Sequence, residues 1–293
     1  MSIKTFLFPA LNRGPRSAVL TALPVQAQIP RIIHQTFYSR QLPADLQENV
    51  DRLRALNPGW EYRFYDDAAI VEFIAQNFPP PVLAYFERID ARYGAARADL
   101  FRYLLMYKVG GVYLDIKSTA TRALDEVLLP QDCFLLSEWN NERDGYDVWG
   151  KHYELRDFGG REFQQWFIVS APGHPFLRAV IENVLSNIDT YIPGLHGTGK
   201  PGVLRVTGPI AYSLAIHRII GQHRHRVVDS QRDLGLEYTV LKDNAHKTVF
   251  KSHYSFQTHS LVKLGFARKQ LNHLYRLAQW VHDTLVRRRA PAG

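Results

Sequence analysis

Charged side chains that could take part in chemistry are concentrated in one apolar stretch, residues 98–118. Asp99 and Arg102 lie in a segment so rich in Leu, Phe and Tyr that it predicts a helix buried on most sides. Their spacing places both on one helical face, where a buried charge needs a partner or a ligand. Asp115 and Lys117 follow, beyond two glycines. Two hypotheses arise, an internal salt bridge between Asp99 and Arg102 or contacts of these charges with a polar ligand.

The residues before Asp115 predict that it ends a strand. Gly110 and Gly111 indicate the end of the helix, because glycine readily adopts the left-handed conformation that closes one. The predicted strand over residues 112–116 begins with a continuous Val-Tyr-Leu run, which is typical of a strand covered on both faces. Asp115 would then lie near the carboxyl end of this strand, where open α/β sheets bind their ligands.

Strands and helices alternate along the chain, which predicts the α/β class. The predicted strands cover residues 31–36, 60–65, 112–116, 133–138 and 164–170. Helices are predicted over residues 42–56, 68–77, 82–93 and 176–188. This order favours a mostly parallel central sheet with helices on both faces.

Polar residues end the first predicted strand and could line a nucleotide pocket. They are His34, Gln35 and Thr36, and the alternative is a polar strand end that faces water. Residues 139–163 form a long segment rich in aromatic and amide side chains, which suits contacts with a donor or an acceptor sugar. Residues 193–202 contain four glycines and two prolines and predict a mobile loop beside the site.

The composition is that of a globular protein with a basic surface. The chain has 293 residues, with 46% hydrophobic and 22% charged side chains. Lys and Arg outnumber Asp and Glu by 36 to 28, which favours anionic partners such as nucleotide diphosphates or acidic lipids. Nucleic acid is not expected, because acids are interspersed and no known binding motif is present. The single cysteine, Cys133, excludes an internal disulfide and a zinc site with four thiolates.

The two ends of the chain are predicted to lie outside the main domain. Residues 1–28 are expected to form a loosely ordered lead-in without a signal peptide, so a cytoplasmic location is the expectation. No apolar run approaches the roughly 20 residues that span a bilayer. Residues 261–293 predict a basic amphipathic helix. It could dock on the domain or lie peripherally on the anionic inner face of a membrane.

Several stretches, taken in order, resemble glycosyltransferase family 32, which carries a DXD sugar-binding region. They are residues 29–36 (IPRIIHQT), 57–62 (NPGWEY), 98–115 with its VYLD end, 166–175 (WFIVSAPGHP) and 207–209 (TGP). The resemblance implies one GT-A type, Rossmann-like domain over residues 29–260. It also implies a retaining enzyme that transfers a hexose from a UDP- or GDP-sugar to a surface glycan or glycolipid.

The resemblance also implies roles for individual residues. Asp99 would bind hydroxyls of the donor sugar, and Arg102, next to Tyr103, would bind the sugar or the diphosphate. The second strand, which ends at Tyr65, would carry the side of the site that binds the nucleotide base. Gln164 is a candidate nucleophile, as are Asp157, Glu162 and Gln165, and a front-face mechanism without a protein nucleophile is equally compatible.

The most diagnostic motif of the family is altered in this chain. A DXD motif supplies two carboxylates, whereas the sequence here is Asp115-Ile-Lys117. Three hypotheses follow. A divalent cation, Mn²⁺ or Mg²⁺, is held by Asp115 with His253 or Glu138; Lys117 replaces the cation; or turnover is lost and a nucleotide-sugar or glycan-binding protein remains.

Overall fold

The elements of the fold are known for most of the chain. A computed structural model describes residues 3–14, 19–142, 148–241, 255 and 257–289. Its strands are β1 (Ile32–Thr36), β2 (Glu61–Tyr65), β3 (Gly111–Leu114), β4 (Thr119–Ala120), β5 (Leu135–Leu136), β6 (Phe167–Ser170), β7 (Arg226–Val227) and β8 (Leu236–Glu237). Its first α-helices are α1 (Ile3–Leu7), α2 (Ala44–Leu56), α3 (Asp67–Asn77), α4 (Pro80–Arg88), α5 (Gly94–Lys108) and α6 (Leu124–Val127). The later ones are α7 (Pro175–Thr190), α8 (Pro193–His196), α9 (Gly199–Val206), α10 (Pro209–His217) and α11 (Phe266–Arg289).

The central sheet has four strands in the order β2, β1, β3, β6. β1 pairs in parallel with β2 and with β3, and β6 closes the sheet antiparallel to β3. The prediction of a mostly parallel sheet is therefore confirmed. Because parallel strands share a direction, the carboxyl ends of the first three lie at one edge, where Thr36 pairs with Tyr65.

Helices cover both faces of this sheet, as predicted. Side chains alternate along β3, so Tyr113 packs into the core that contains α5 and α7. Val112 and Leu114 pack on the other face with Leu53 of α2. This division explains why β3 is apolar on both faces.

Helix α5 lies in the middle of the molecule, and ten of its residues are buried. Its end depends on glycine, because Gly110 and Gly111 have φ angles of +69° and +103°. A Cβ atom at Gly110 would come within 2.6 Å of Pro172. The chain therefore turns tightly from α5 into β3, and Asp115 follows the last residue of that strand.

Three predicted boundaries were wrong. Residues 193–202 are helical rather than a loop, since Pro193 stands in the first turn of α8, where proline is tolerated, and Gly197 (φ +87°) turns the chain toward α9. The helix predicted over 82–93 ends at Arg88. The strand predicted over 133–138 is shortened to Leu135–Leu136, and Phe134 and Glu138 form only isolated bridges, with Ser170 and Phe163.

The long C-terminal helix, α11, docks through one side on α8. Leu271 is buried there, and the backbone N–H of Gly194 donates a hydrogen bond to Asn272 Oδ1 (2.8 Å). Each helix in the described part of the chain is too short or too polar to span a bilayer.

Candidate active site

Arg102 is the centre of a buried charged cluster formed by α5, β3 and the segment before β6. Its guanidinium lies 3.3 Å from Asp99 Oδ1 and 3.1 Å from Asp115 Oδ1, and it donates a 2.7 Å hydrogen bond to the carbonyl of Gln165. The guanidinium carbon also lies 4.9 Å from the centre of the Tyr113 ring. Burial disfavours its charged form, but Asp115, Tyr113, Asp99 and Tyr103 raise the pKa of Arg102 above its ordinary value.

Asp99 is enclosed by hydrogen-bond donors. Its carboxylate accepts hydrogen bonds from Gln165 Nε2 (3.1 Å) and from the Thr207 hydroxyl (2.9 Å). Burial raises the pKa of Asp99, although Arg102 and the two hydrogen bonds act in the opposite direction. The salt bridge suggested by the spacing of three residues is therefore present, and Asp99 has further partners in distant parts of the chain.

Asp115 is the member of the cluster that solvent reaches. Its side chain is 23% exposed, against 6% for Arg102. Its Oδ1 accepts a hydrogen bond from the Tyr113 hydroxyl (3.2 Å), and its carbonyl accepts one from Gln35 Nε2 (3.3 Å). The side-chain oxygen of Gln35 in turn accepts from the Tyr62 hydroxyl at 3.0 Å. A ligand at the carboxyl end of β3 would thus meet Asp115 first.

Lys117 points to a different partner, the aromatic ring of Tyr238. Its ammonium lies 3.2 Å from the ring centre, a cation–π contact, and the residue is buried. Burial lowers the pKa of Lys117 to about 8, while Asp115 pulls it upward. The position of the second DXD carboxylate therefore carries a buried cation.

The polar residues at the ends of β1 and β2 use their side chains inside the fold. His34 Nε2 lies 2.9 Å from the Gly110 carbonyl, and the Tyr65 hydroxyl lies 3.2 Å from His34 Nδ1. Burial lowers the pKa of His34 to about 4, so the ring is neutral near pH 7. Thr36 donates to the carbonyl of Tyr65 at 2.9 Å. A nucleotide role for His34, Gln35, Thr36 and Tyr65 stays a prediction.

Tyr103 joins the cluster through residues that are distant in sequence. Its hydroxyl oxygen lies 2.9 Å from both the side-chain oxygen of Gln165 and the Thr207 carbonyl. The sequence suggested that Gln165 is a candidate nucleophile and that Thr207 belongs to a stretch that resembles the family, and it suggested no role for Tyr113. The alternation of Val-Tyr-Leu in β3 was the available signal for Tyr113, because it separates this ring from its two apolar neighbours.

The described residues do not by themselves fit a bound cation. No group of three His, Cys, Asp or Glu side chains within the described ranges could hold a metal. Asp115 is already bonded by Arg102 and Tyr113, and Lys117 is a cation. Of the other predicted ligands, Glu138 lies 3.9 Å from Arg161, and His253 lies outside the described residues. The predicted requirement for Mn²⁺ or Mg²⁺ stays a prediction.

Gln164 is not part of the charged cluster. It lines a separate cavity of about 210 Å³ together with Trp139, Trp166 and Tyr238. A larger cavity of about 410 Å³ lies between α2 and the start of β2, near Trp60. None of the predicted site residues within the described ranges lines that larger cavity.

Two curated proteins with similar sequences are named for mannosyl transfer or for the synthesis of a mannosyl lipid. Inositol phosphoceramide mannosyltransferase 3 of Schizosaccharomyces pombe is 30% identical over 159 residues, 54% of this chain and 38% of that protein. Mannosyl phosphorylinositol ceramide synthase SUR1 of Saccharomyces cerevisiae is 35% identical over 107 residues, 36% of this chain and 27% of that protein. The chain thus spans less than half the length of either relative.

A solved structure shares the fold of this chain, and a family model matches part of its sequence. The ligand-free glycosyltransferase domain from the YGT toxin has a TM-score of 0.50 at 10% identity, covering 86% of this chain and 90% of that chain. This likeness concerns the fold alone, and it confirms the predicted GT-A type. The model described as "Glycosyltransferase sugar-binding region containing DXD motif" matches residues 43–135. These residues, which include Asp99, Arg102 and Asp115, belong to that family of glycosyltransferase sugar-binding regions.

Proposed function

We propose that this protein is a glycosyltransferase that moves a hexose from a UDP- or GDP-sugar to a glycan or glycolipid acceptor. The observation that carries the proposal is the cluster in which Arg102 joins Asp99 to Asp115 at the carboxyl end of β3. Ligands of open α/β sheets bind at this end of the strands. The family match over residues 43–135 includes all three side chains.

Each member of the cluster has a proposed task. Asp99 and Asp115 accept hydrogen bonds from hydroxyls of the donor sugar. The departing nucleoside diphosphate gains negative charge as the glycosidic bond breaks, and the cations Arg102 and Lys117 stabilise that charge. Arg102 is held in place by two carboxylates and a carbonyl, so it does not need to reorganise during the reaction. The retention of anomeric configuration implied by the family resemblance is part of this proposal.

The names of the relatives suggest the finer substrates. Inositol phosphoceramide mannosyltransferase 3 and its homologue from Saccharomyces cerevisiae are named for a mannosyl group and an inositol phosphoceramide lipid. We therefore propose mannose as the first hexose to test and a glycolipid with an anionic headgroup as the first acceptor. The positive net charge of the chain, +8, is complementary to such an acceptor.

One observation favours a second function, a nucleotide-sugar or glycan-binding protein without turnover. Lys117 stands where the family carries its second carboxylate, and its ammonium contacts Tyr238. A binder of this kind would hold the nucleotide sugar but would not release the hexose.

Hydrolysis of the donor distinguishes these functions, since many transferases slowly hydrolyse nucleotide sugars when acceptor is absent. We would incubate the protein with GDP-mannose, UDP-glucose and UDP-galactose, with Mn²⁺ or with EDTA, and measure the released hexose. The transferase proposal predicts release from one donor and a loss of about 100-fold in Asp115→Asn. Asp125→Asn, an exposed aspartate paired with Arg31, is the matched control and should keep the wild-type rate.

Three results bear directly on the proposal. Donor binding without hydrolysis would favour the binding protein. Activity in EDTA that is lost in Lys117→Met would assign the charge neutralisation to the lysine. No binding of any nucleotide sugar would contradict the transferase and leave only a glycan-binding protein.

We also propose that α11 contacts an anionic membrane surface. The side of the helix opposite its docked face carries exposed apolar residues, defined here as the apolar stripe: Phe266, Leu274, Leu277, Trp280 and Val281. Lys269 and Arg276 are exposed on the same helix. Apolar and basic residues arranged in this way are typical of helices that lie in the lipid interface. The cytoplasmic location stays a prediction.

Vesicle flotation tests this contact. The protein should float with vesicles that contain phosphatidylserine and much less with phosphatidylcholine alone, because basic residues add attraction to anionic lipid. Replacing both Leu277 and Trp280 by Glu should abolish flotation, whereas Leu129→Glu, at an exposed apolar position outside α11, should not. Flotation that is unchanged in the double variant would contradict the contact.

A further inference from the structure

A cavity whose walls are mostly uncharged lies beside the charged cluster, and the proposed reaction gives it no role so far. Its volume is about 210 Å³, and its walls include Trp139, Trp166, Tyr238 and Gln164. Glu237 supplies the one ionisable carboxylate among the described residues that line it. Aromatic walls with a few polar groups favour an uncharged ligand that has both apolar and polar surface.

Two buried polar atoms of this lining lack a hydrogen-bond partner within the described structure. Gln164 Oε1 is an acceptor and Trp166 Nε1 is a donor, and both residues are 5% exposed. Leaving such an atom unpaired costs about 1–3 kcal/mol, so folded proteins rarely do it without a reason. A ligand that offers one hydroxyl hydrogen and one hydroxyl oxygen would satisfy both atoms.

The cavity adjoins the charged cluster without sharing its charges. Gln165 lies between the lining residues Gln164 and Trp166 in the sequence, but its polar groups contact the cluster. Its Nε2 donates to Asp99, and its carbonyl accepts from Arg102. The backbone N–H of Asp115 donates to the carbonyl of Trp166 at 2.8 Å. Three consecutive residues therefore serve two neighbouring sites, one charged and one neutral.

We propose that this cavity binds a neutral hexose ring, as a sugar subsite distinct from the site of the diphosphate. Trp139, Trp166 and Tyr238 pack against the apolar C–H faces of the ring. Gln164 Oε1 accepts a hydrogen bond from one hydroxyl, and Trp166 Nε1 donates to another. The cavity is smaller than the roughly 300–1,000 Å³ of pockets for drug-sized ligands, which limits it to about one ring. This inference rests on the proposed glycosyltransferase function, which requires a sugar from a donor and an acceptor.

The first experimental arm uses sugars without a nucleotide. Methyl α-mannoside, methyl α-glucoside and methyl α-galactoside are titrated into the full chain and followed by ligand-observed NMR. The second arm measures, by calorimetry, the affinity of each nucleotide sugar relative to its nucleoside diphosphate. The variants Gln164→Leu and Trp166→Phe each remove one polar atom and keep the approximate shape of the side chain.

The proposal predicts that, in one of the two arms, Gln164→Leu and Trp166→Phe each bind the sugar at least about tenfold more weakly than the wild type. Trp60→Phe is the matched control, because Trp60 donates to the exposed Asp125 and does not line this cavity. If the variants lose affinity for the methyl glycosides, the bound hexose ring belongs to the acceptor. If they lose affinity only for nucleotide sugars, the ring belongs to the donor. Melting temperatures, expected to be unchanged or higher in both variants, separate lost binding from unfolding.

Wild-type affinities in both arms for both variants would overturn the proposal and leave ordered water as the partner of the two atoms. So would the absence of sugar binding by the wild type in both arms. Binding of a methyl glycoside that depends on Gln164 and Trp166, without any binding of nucleotides, would support the subsite and contradict the transferase function.

Discussion

The segment before β6 separates two sets of buried polar groups, one that has partners within the protein and one that lacks them in the described structure. On the charged side, Arg102 meets Asp99, Asp115 and a backbone carbonyl, so its charge is compensated by the protein itself. On the cavity side, Gln164 Oε1 and Trp166 Nε1 are buried without a partner in the described structure. The first arrangement is complete before any ligand arrives, whereas the second is completed by one. Substitutions on the charged side should therefore lower the stability of the fold, whereas loss of the two unpaired groups on the neutral side should weaken sugar binding without destabilising the protein.

The largest effect should follow from breaking the charged side. Arg102→Met leaves Asp99 buried without its cation, and we expect the free energy of unfolding to fall by about 3–5 kcal/mol. Urea denaturation measures this change. Arg63→Met, which removes an exposed ion pair with Glu61, is the control and should cost less than about 1 kcal/mol. Equal effects of the two substitutions would contradict the account of the cluster.

Low pH should also destabilise the protein near the charged side, through protonation of His34. This residue of β1 pairs with Tyr113 of β3. Burial lowers the pKa of His34 from 6.5 to about 4. Between these values the unfolded chain binds more protons than the folded one, so the free energy of unfolding falls as the pH falls from about 7 to 4. This single histidine should account for about 3 kcal/mol at pH 4.

Urea denaturation of the wild type and of His34→Gln at pH 7 and pH 4 isolates this contribution. The loss between the two pH values should be smaller in His34→Gln, because the substituted side chain does not titrate. His273→Gln, at an exposed position of α11, serves as the control. The same pH dependence in all three proteins would show that His34 is not kept neutral by burial.

The smallest effect on stability is expected for a substitution on the neutral side. Whether it raises or lowers the free energy of unfolding distinguishes a binding group from a structural one. Trp166→Phe removes an N–H that has no partner among the described residues, so the free energy of unfolding should stay the same or rise by up to about 1 kcal/mol. Trp139→Phe removes an N–H that donates to Glu162 at 2.8 Å, and it should destabilise the protein by about 1–3 kcal/mol. Destabilisation by Trp166→Phe as large as that by Trp139→Phe would show that both indoles are structural.

The sequence predicted the elements whose signals are local. Glycines mark the end of α5, and a continuous apolar run marks β3. The contact between Asp99 and Arg102 followed from their spacing. The two-residue pairing of β5 with β7 had no such signal, because strands this short depend on packing rather than on their own pattern.

The sequence could not predict which distant residues complete the site. Asp99 bonds to Gln165 and Thr207, which are 66 and 108 residues away, and only the packing of α5 against β6 and α10 brings them together. Neighbouring glutamines also have different surroundings, since Gln165 joins the charged cluster and Gln164 lines the cavity. Nothing in the printed sequence distinguishes these two side chains.

Calorimetric titration of one nucleotide sugar and its nucleoside diphosphate into the wild type, Asp115→Asn and Trp166→Phe tests the central claim most directly. Each titration is made with Mn²⁺ and with EDTA, and the three proteins are also titrated with a methyl glycoside. The account predicts that Asp115→Asn binds the nucleotide sugar more weakly, because Asp115 accepts hydrogen bonds from the donor sugar. Trp166→Phe should keep the wild-type affinity for the nucleoside diphosphate and lose affinity for the sugar. Nucleotide-sugar affinity that is the same in Asp115→Asn as in the wild type would contradict the assignment of this cluster as the transfer site.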